Sequence, residues 1–337
     1  MIAQALAQAN APFINHLHET GDIDEHAACL REWGQRYDQL SAGTFDGTFE
    51  EFCFGNVQIF REQANQSIHE SGMPWQGSLV VGVATSLDSN GWFCGENFTH
   101  DSIITLKGGE ALDFRTPRRH ELVAATIDIN KLNDYALQVE HHDLGNELKN
   151  LGPIANSPEH AAKLRSFLVT VLASLRATPQ MLAHEQIRKA LEQSIYATIL
   201  ESIGSAPEPR QTPSSRARRI IVERARTLMH EHIDEPISVA DLCIQLRVSR
   251  RTLQYSFQDV LGMNPVKFLR ALRLNGVRRA LKQADPQHDT VADIAAHWGF
   301  WHLSHFAADY REMFAELPSD TLRRARDPAL LLPPPAR

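Results

Sequence analysis

Between about residues 45 and 130 the apolar positions fall in short runs. They are Phe52-Cys53-Phe54, Val57-Gln58-Ile59-Phe60, Leu79-Val80-Val81, Gly91-Trp92-Phe93-Cys94, Ile103-Ile104-Thr105-Leu106 and Leu122-Val123-Ala124-Ala125-Thr126-Ile127. Several alternate with period two. Turn formers separate them, as in Asp88-Ser89-Asn90-Gly91 and Lys107-Gly108-Gly109-Glu110. Closely spaced short strands with such turns predict a β-sandwich or barrel. Residues 1–40, rich in His and Gln, read as helical, with a break at Asn10-Ala11-Pro12. After Pro158 the period becomes helical. Leu164, Phe167, Leu168, Val171, Leu172 and Leu175 form one stripe, and Ile187, Leu191, Ile195 and Ile199 form a second. Together they predict an αα-hairpin over 159–203. Its aliphatic stripe can cover the β-domain or form a dimer interface, and both readings stay open.

Gly204 to Ser215 holds Pro207, Pro209 and Pro213 with no apolar period, which marks a tether. The segment 327–337, with Pro333-Pro334-Pro335, reads as a frayed tail. Between them the chain repeats itself. Ser238-Val239-Ala240-Asp241-Leu242 returns as Thr290-Val291-Ala292-Asp293-Ile294, and Leu253 and Phe257 return as Phe306 and Tyr310. Each copy opens on a hydroxyl N-cap with Asp at the third helical position, a capping-box pattern. A short helix, a tight turn and a second helix, given twice, predict paired helix-turn-helix motifs. Val239, Leu242, Leu246, Leu253 and Phe257 face inward in the first. That leaves Arg250, Arg251, Gln254 and Tyr255 outward on a helix that the DNA major groove can admit. The linking segment from Asn264 to Leu281 reads as one helix, with Arg270, Arg273, Arg278 and Arg279 on its polar side and an unexplained Gly276 in its middle.

Charge sharpens this division. The whole chain of 337 residues carries a net charge of −7. Residues 1–213 hold 15 Lys+Arg against 27 Asp+Glu, whereas 214–337 hold 19 against 14. A basic half joined to an acidic one points to a polyanionic partner for the former. Arg supplies 17 of those 19 cations, and its fork suits phosphate and guanine. No run of about 18 apolar residues is present, so no transmembrane helix or membrane partner is expected. The N-terminus shows no secretory pattern, and Cys29, Cys53, Cys94 and Cys243 are widely spaced. These features suit reduced thiols and a cytoplasmic protein.

Residues 216–326 resemble the DNA-binding domain of the AraC/XylS transcription regulators. Ser238–Arg251 with Leu253–Gly262, Asn264-Pro265, Arg273-Leu274, and Gly299-Phe300 through Ser304-His305-Phe306 to Tyr310 carry the resemblance. The N-terminal part is similar to the cupin-like sensor domains of that family, in particular to the ethanolamine-operon regulator subgroup. The resemblance implies an α+β cupin-like β-barrel with flanking helices over 1–203, a linker at 204–215 and an all-α domain with two helix-turn-helix motifs over 216–326. It implies base contacts from Arg251, Gln254 and Tyr255. The second motif offers Ser304 and His305, with Ala307, Ala308 and acidic Asp309 alongside, and should rely more on phosphate. Double-stranded DNA, a second copy of the chain and, for an activator, RNA polymerase are the implied partners.

A cupin-like barrel can hold a small effector. Phe54, Phe60, Trp75, Trp92, Phe93 and Phe114 are candidate walls. His16-Leu17-His18-Glu19 lies in the region read as helical before the barrel, and His141-His142-Asp143 reads as a loop. Neither has ligand spacing, so no metal or other cofactor is expected. No nucleophile elbow, phosphate loop or dinucleotide fingerprint occurs. A regulator is therefore expected. Its N-terminal half would sense a small molecule, mediate dimerisation or bind a protein partner; an enzyme fused to a DNA-binding domain is the remaining alternative.

Overall fold

A computed structural model describes residues 6, 11–30, 32–204, 213–232, 237–285 and 288–326. The tail 327–337 and residues 205–212 of the linker lie outside these. The chain divides into two compact units, one of Met1–Tyr37 with Phe45–Arg210, the other of Asp38–Thr44 with Gln211–Arg337.

The first unit is built on two antiparallel sheets. The strands are β1 (Phe13–Thr20), β2 (Arg36–Gln39), β3 (Gly47–Phe54), β4 (Val57–Ala64), β5 (Ile68–Gly72), β6 (Ser78–Leu87), β7 (Gly91–Phe93), β8 (Glu96–Phe98), β9 (Ser102–Lys107), β10 (Leu112–Arg115), β11 (His120–Asp128) and β12 (Ile154–Asn156). The larger sheet runs β1-β3-β4-β11-β6-β9-β12 and the smaller β2-β5-β10-β7-β8. Neither closes on itself among the described residues, so two open sheets replace the expected barrel.

The central strands are buried on both faces. Val57, Ile59, Val81, Val83, Val123 and Ala125 join one core, while Phe60, Val80, Ala84, Leu122 and Ala124 join another. Strands covered on two sides read as near-continuous apolar runs. One cover is the helical hairpin of α4 (Pro158–Ala177) and α5 (Glu185–Gly204), which gives Leu164, Leu168, Leu172, Ile195 and Ile199 to the first core. The other core holds Phe93, Leu112 and Phe114 from the small sheet. Short helices α1 (Ile23–Cys29), α2 (Ile129–Tyr135) and α3 (Gly145–Asn150) complete the unit.

The N-terminal region is not the expected run of helix. Among the described residues from 11 to 40 the helix is α1, capped by Asp22, whose carboxylate accepts from the Asp24 and Glu25 backbone N–H groups. Phe13–Thr20 is instead an edge strand paired along its length with β3, from Phe13 opposite Phe54 to Thr20 opposite Gly47. Its mostly polar residues carry little apolar alternation, and the deciding partner lies some 30 positions onward. His16 and His18 therefore share one face of a strand, their rings stacked 5.6 Å apart.

The second unit is helical: α6 (Pro213–Glu231), α7 (Val239–Leu246), α8 (Arg250–Leu261), α9 (Pro265–Gln283), α10 (Val291–His297), α11 (Leu303–Phe314) and α12 (Pro318–Arg326). It has one apolar cluster around each motif, and α9 serves both: Phe268, Leu269 and Leu272 join the first, Leu274, Val277 and Leu281 the second. The segment Asp38–Thr44 completes this unit, which nothing in the sequence announced. Asn275 on α9 donates to the Gln39 carbonyl at 2.9 Å and accepts from its N–H at 3.0 Å. Gln39 also donates to the carbonyl of Met313, and Arg279 binds Asp38 at 2.7 Å.

Candidate nucleic-acid interface and a sheet-domain cavity

The first motif is set by its caps. Ser238 accepts from the Asp241 N–H, and the Asp241 carboxylate accepts in return from the Ser238 N–H, closing the capping box read from the sequence. Arg247 then turns the chain at φ 54°, and Ser249 caps α8 through the Thr252 N–H. Leu253, Ser256, Phe257 and Val260 turn inward. By elimination Arg250, Arg251, Gln254 and Tyr255 stand in solvent on the opposite side. Two of them act as one group. The Arg251 guanidinium lies 5.2 Å from the centre of the Tyr255 ring and donates to its hydroxyl at 3.1 Å. Cation–π stacking and a hydrogen bond restrain a side chain that would otherwise lose rotamer freedom on binding.

The second motif repeats the plan with less charge. Thr290 caps α10 through the Asp293 N–H. Gly299, at φ +80°, makes the turn. Ser304 and His305 are exposed at the start of α11, as expected. Sequence reasoning missed their neighbours Trp301 and Leu303, which are 74% and 47% exposed. Asp309 is paired with Arg270 of α9, so one acid and one base cancel there.

Three expectations change on the structure. Arg273 is turned inward, its guanidinium donating to the Ile237 carbonyl at 2.7 Å, and burial lowers its pKa. It fixes α9 against the segment entering α7 and leaves the candidate DNA surface to others. Gly276 is explained by close approach, because a Cβ there would stand 2.1 Å from two ring carbons of Trp298. Ile195 and Ile199 are fully buried in the first unit's own core, so they cannot face a partner; Ile187 and Leu191 are half-buried.

Between the two sheets lies a cavity of about 40 Å³, walled by Phe60, Phe93, Phe114 and Trp33 among other apolar side chains. Phe60, Phe93 and Phe114 were expected there. Trp75 belongs to the same core without lining the cavity, Phe54 sits in the core on the other sheet face, and Trp92 is half-buried under the Arg115 guanidinium at 4.7 Å. The cavity also receives Gln35, Glu62 and Glu70, which no sequence signal singled out. Glu62 meets the buried His26 ring at 3.1 Å. Burial disfavours the Glu62 carboxylate, but the His26 hydrogen bond and charge outweigh it and hold the carboxyl below its ordinary range. Burial and the nearby Glu62 charge push Glu70 well above that range. His120, buried beside them, is pushed down to about 4 by desolvation.

Comparison with known proteins places the chain. Residues 242–324 match the family model described as "Helix-turn-helix domain". The "Probable thc operon regulatory protein" of Rhodococcus erythropolis is 27% identical over 310 residues, which is 89% of this chain and 87% of that protein. The "XylDLEGF operon transcriptional activator 1" of Pseudomonas putida is 34% identical over 116 residues, 33% of this chain and only 35% of that protein's length. A crystal structure of an AraC-type transcriptional regulator from Chromobacterium violaceum shares 31% identity over 34% of this chain and 98% of its own, with a TM-score of 0.30. Residues 242–324 thus carry a helix-turn-helix domain, and the chain is similar to transcriptional regulators of the AraC/XylS type, a DNA-binding class. No helix among the described residues is long and apolar enough to cross a membrane.

Proposed function

We propose that this regulator reads promoter DNA chiefly through α8 and tunes that reading through a small-molecule effector held in the cavity of its sheet unit. The observation that carries the first part is the Arg251–Tyr255 pair, exposed and mutually restrained at the start of α8. Arg251 is assigned to guanine, Gln254 to adenine, and Arg250 to a base or the adjoining phosphate. On α11, Ser304 and His305 are assigned to phosphates, and Trp301 and Leu303 offer apolar contact to thymine methyls. Two motifs held by one helix suit successive grooves about 34 Å apart. A homodimer is proposed through the α4–α5 hairpin by the half-buried Ile187 and Leu191, not by Ile195 or Ile199.

The test is in vitro selection on genomic DNA with the full-length protein, followed by affinity measurements on the enriched site. Arg251→Ala is expected to cost about 1–3 kcal/mol on that site and to relax preference at one position. Equal losses on the selected and on random DNA would reduce Arg251 to a phosphate contact and remove the basis of the reading.

A further inference from the structure

We propose that β1 pairs with the β1 of a second copy of the chain, antiparallel about Leu17, and that the four imidazoles so gathered, His16 and His18 from each copy, hold one divalent transition-metal ion. This contact is separate from the hairpin dimer and from the effector cavity, and it rests on neither.

β1 ends the larger sheet, and among the described residues its outer side meets no strand. Its pairing with β3 runs through all 8 residues without a shift of register. A regular edge of this kind offers its outward backbone N–H and C=O groups to another strand, and proteins blunt such edges with Lys, Pro or a bulge. Residues 13–20 contain no Lys or Pro, and β1 has no bulge. Leu17, in the middle of the strand, is 60% exposed. A two-fold axis through Leu17 covers that side chain with Leu17 of the partner subunit, which is why a second copy fits this edge.

The same axis completes a ligand set. On a helix, residues 16 and 18 would point about 200° apart. On a strand, residues two apart share a face at a spacing of about 7 Å, and here the two rings stack with their centres 5.6 Å apart. His18 is exposed and His16 half-buried. Pairing about Leu17 sets His16 opposite the partner's His18, and His18 opposite the partner's His16. Directly opposed Cβ atoms are about 4.5–5.5 Å apart, so four imidazoles stand at the corners of a rectangle of about 5 by 7 Å on one face. Neutral imidazole suits Zn²⁺, Cu²⁺ and Ni²⁺, and Zn²⁺ takes four such nitrogens at about 2.0–2.1 Å. One chain supplies half of this set. Among its described residues no group of three or more His, Cys, Asp or Glu could hold a metal ion. Charge makes the ion useful as well. Residues 1–213 hold 15 Lys+Arg against 27 Asp+Glu, so two copies of this unit repel each other, and a divalent cation at the contact offsets part of that repulsion.

The experiment is sedimentation velocity of the full-length protein under a thiol-free reductant, in EDTA and then with one Zn²⁺ for every two chains. The mass of the particle is expected to double with Zn²⁺ and to return with EDTA, whatever assembly the hairpin contact already gives. Equilibrium dialysis should find one bound Zn²⁺ for every two chains. His18→Ala changes an exposed side chain and should abolish the doubling and weaken Zn²⁺ binding at least tenfold. Leu17→Lys keeps all four imidazoles but sets two ammonium groups at the axis, and it should also abolish the doubling. Circular dichroism checks that each variant is folded, and either variant alone carries the test. Doubling that survives His18→Ala or Leu17→Lys places the metal or the contact elsewhere and overturns the proposal. Zn²⁺ bound without a change of mass overturns the shared site, and no Zn²⁺ bound overturns it outright.

Discussion

Gly276 sits in the middle of α9, where a helix usually gains about 1 kcal/mol from Gly→Ala. Here the opposite is expected. A Cβ at 276 would lie 2.1, 2.1 and 2.5 Å from three carbons of the Trp298 ring, whereas carbon atoms settle at about 3.5–4.0 Å. The indole or the helix must move by more than about 1 Å. Over-packing of this kind costs roughly 1–3 kcal/mol, so Gly276→Ala should be destabilising by up to about 2 kcal/mol after the propensity gain. Trp298 stands in the turn between α10 and α11, so the same change should shift α11 and weaken binding to specific DNA. The assay is urea unfolding of the full-length protein followed by circular dichroism at helical wavelengths. A double-mutant cycle with Trp298→Ala isolates the contact. In the Trp298→Ala background the Gly276→Ala change should turn stabilising by about 1 kcal/mol. The reasoning fails if Gly276→Ala stabilises the unsubstituted protein, because the helix would then have room for the methyl group.

Other perturbations test other parts of the structure. Ile195→Asp places an unpaired carboxylate where the side chain is 0% exposed, so sedimentation and circular dichroism should show an unfolded sheet unit; a folded monomer would instead make this stripe an interface. Asn275→Ala strips the Gln39 backbone of two hydrogen bonds, and unpaired buried groups of this kind should cost about 2 kcal/mol or more in the second unit; a neutral result would mean that Asp38–Thr44 is not part of its framework. His120, pushed down to about 4 in the folded chain, starts from about 6.5 when unfolded. Its contribution is therefore fully present above pH 6.5 and is lost as the pH falls toward 4, by about 3 kcal/mol. His120→Gln should flatten that part of the stability profile relative to the unsubstituted protein, and parallel profiles would refute the buried, neutral histidine.

Much of the second unit was legible because its signals are local. A hydroxyl N-cap, an Asp at the third position and apolar residues at helical spacing each act within a turn or two of helix. They located α7, α8, α10 and α11, and with them the outward faces carrying Arg250, Arg251, Gln254, Tyr255, Ser304 and His305. The strand runs of the first unit were visible for the same reason. What stayed hidden depended on partners far along the chain. Leu17 is exposed and His16 and His18 are polar, so β1 shows as a strand only when β3 pairs with it.

The sequence by itself thus determined the class of the protein: paired, capped helix-turn-helix motifs in a basic half, and a β-rich acidic half. Tertiary structure alone decided what the remaining side chains do. It turned Arg273 to a backbone carbonyl and set Trp298 on Gly276. It also brought Gln39 to Asn275, 236 positions away, and gathered Gln35, Glu62 and Glu70 around one cavity. The physical reason is range. Helical period and capping reflect forces between near neighbours in sequence, whereas burial, close approach and the pairing of a buried carboxyl depend on whichever distant residues packing brings together.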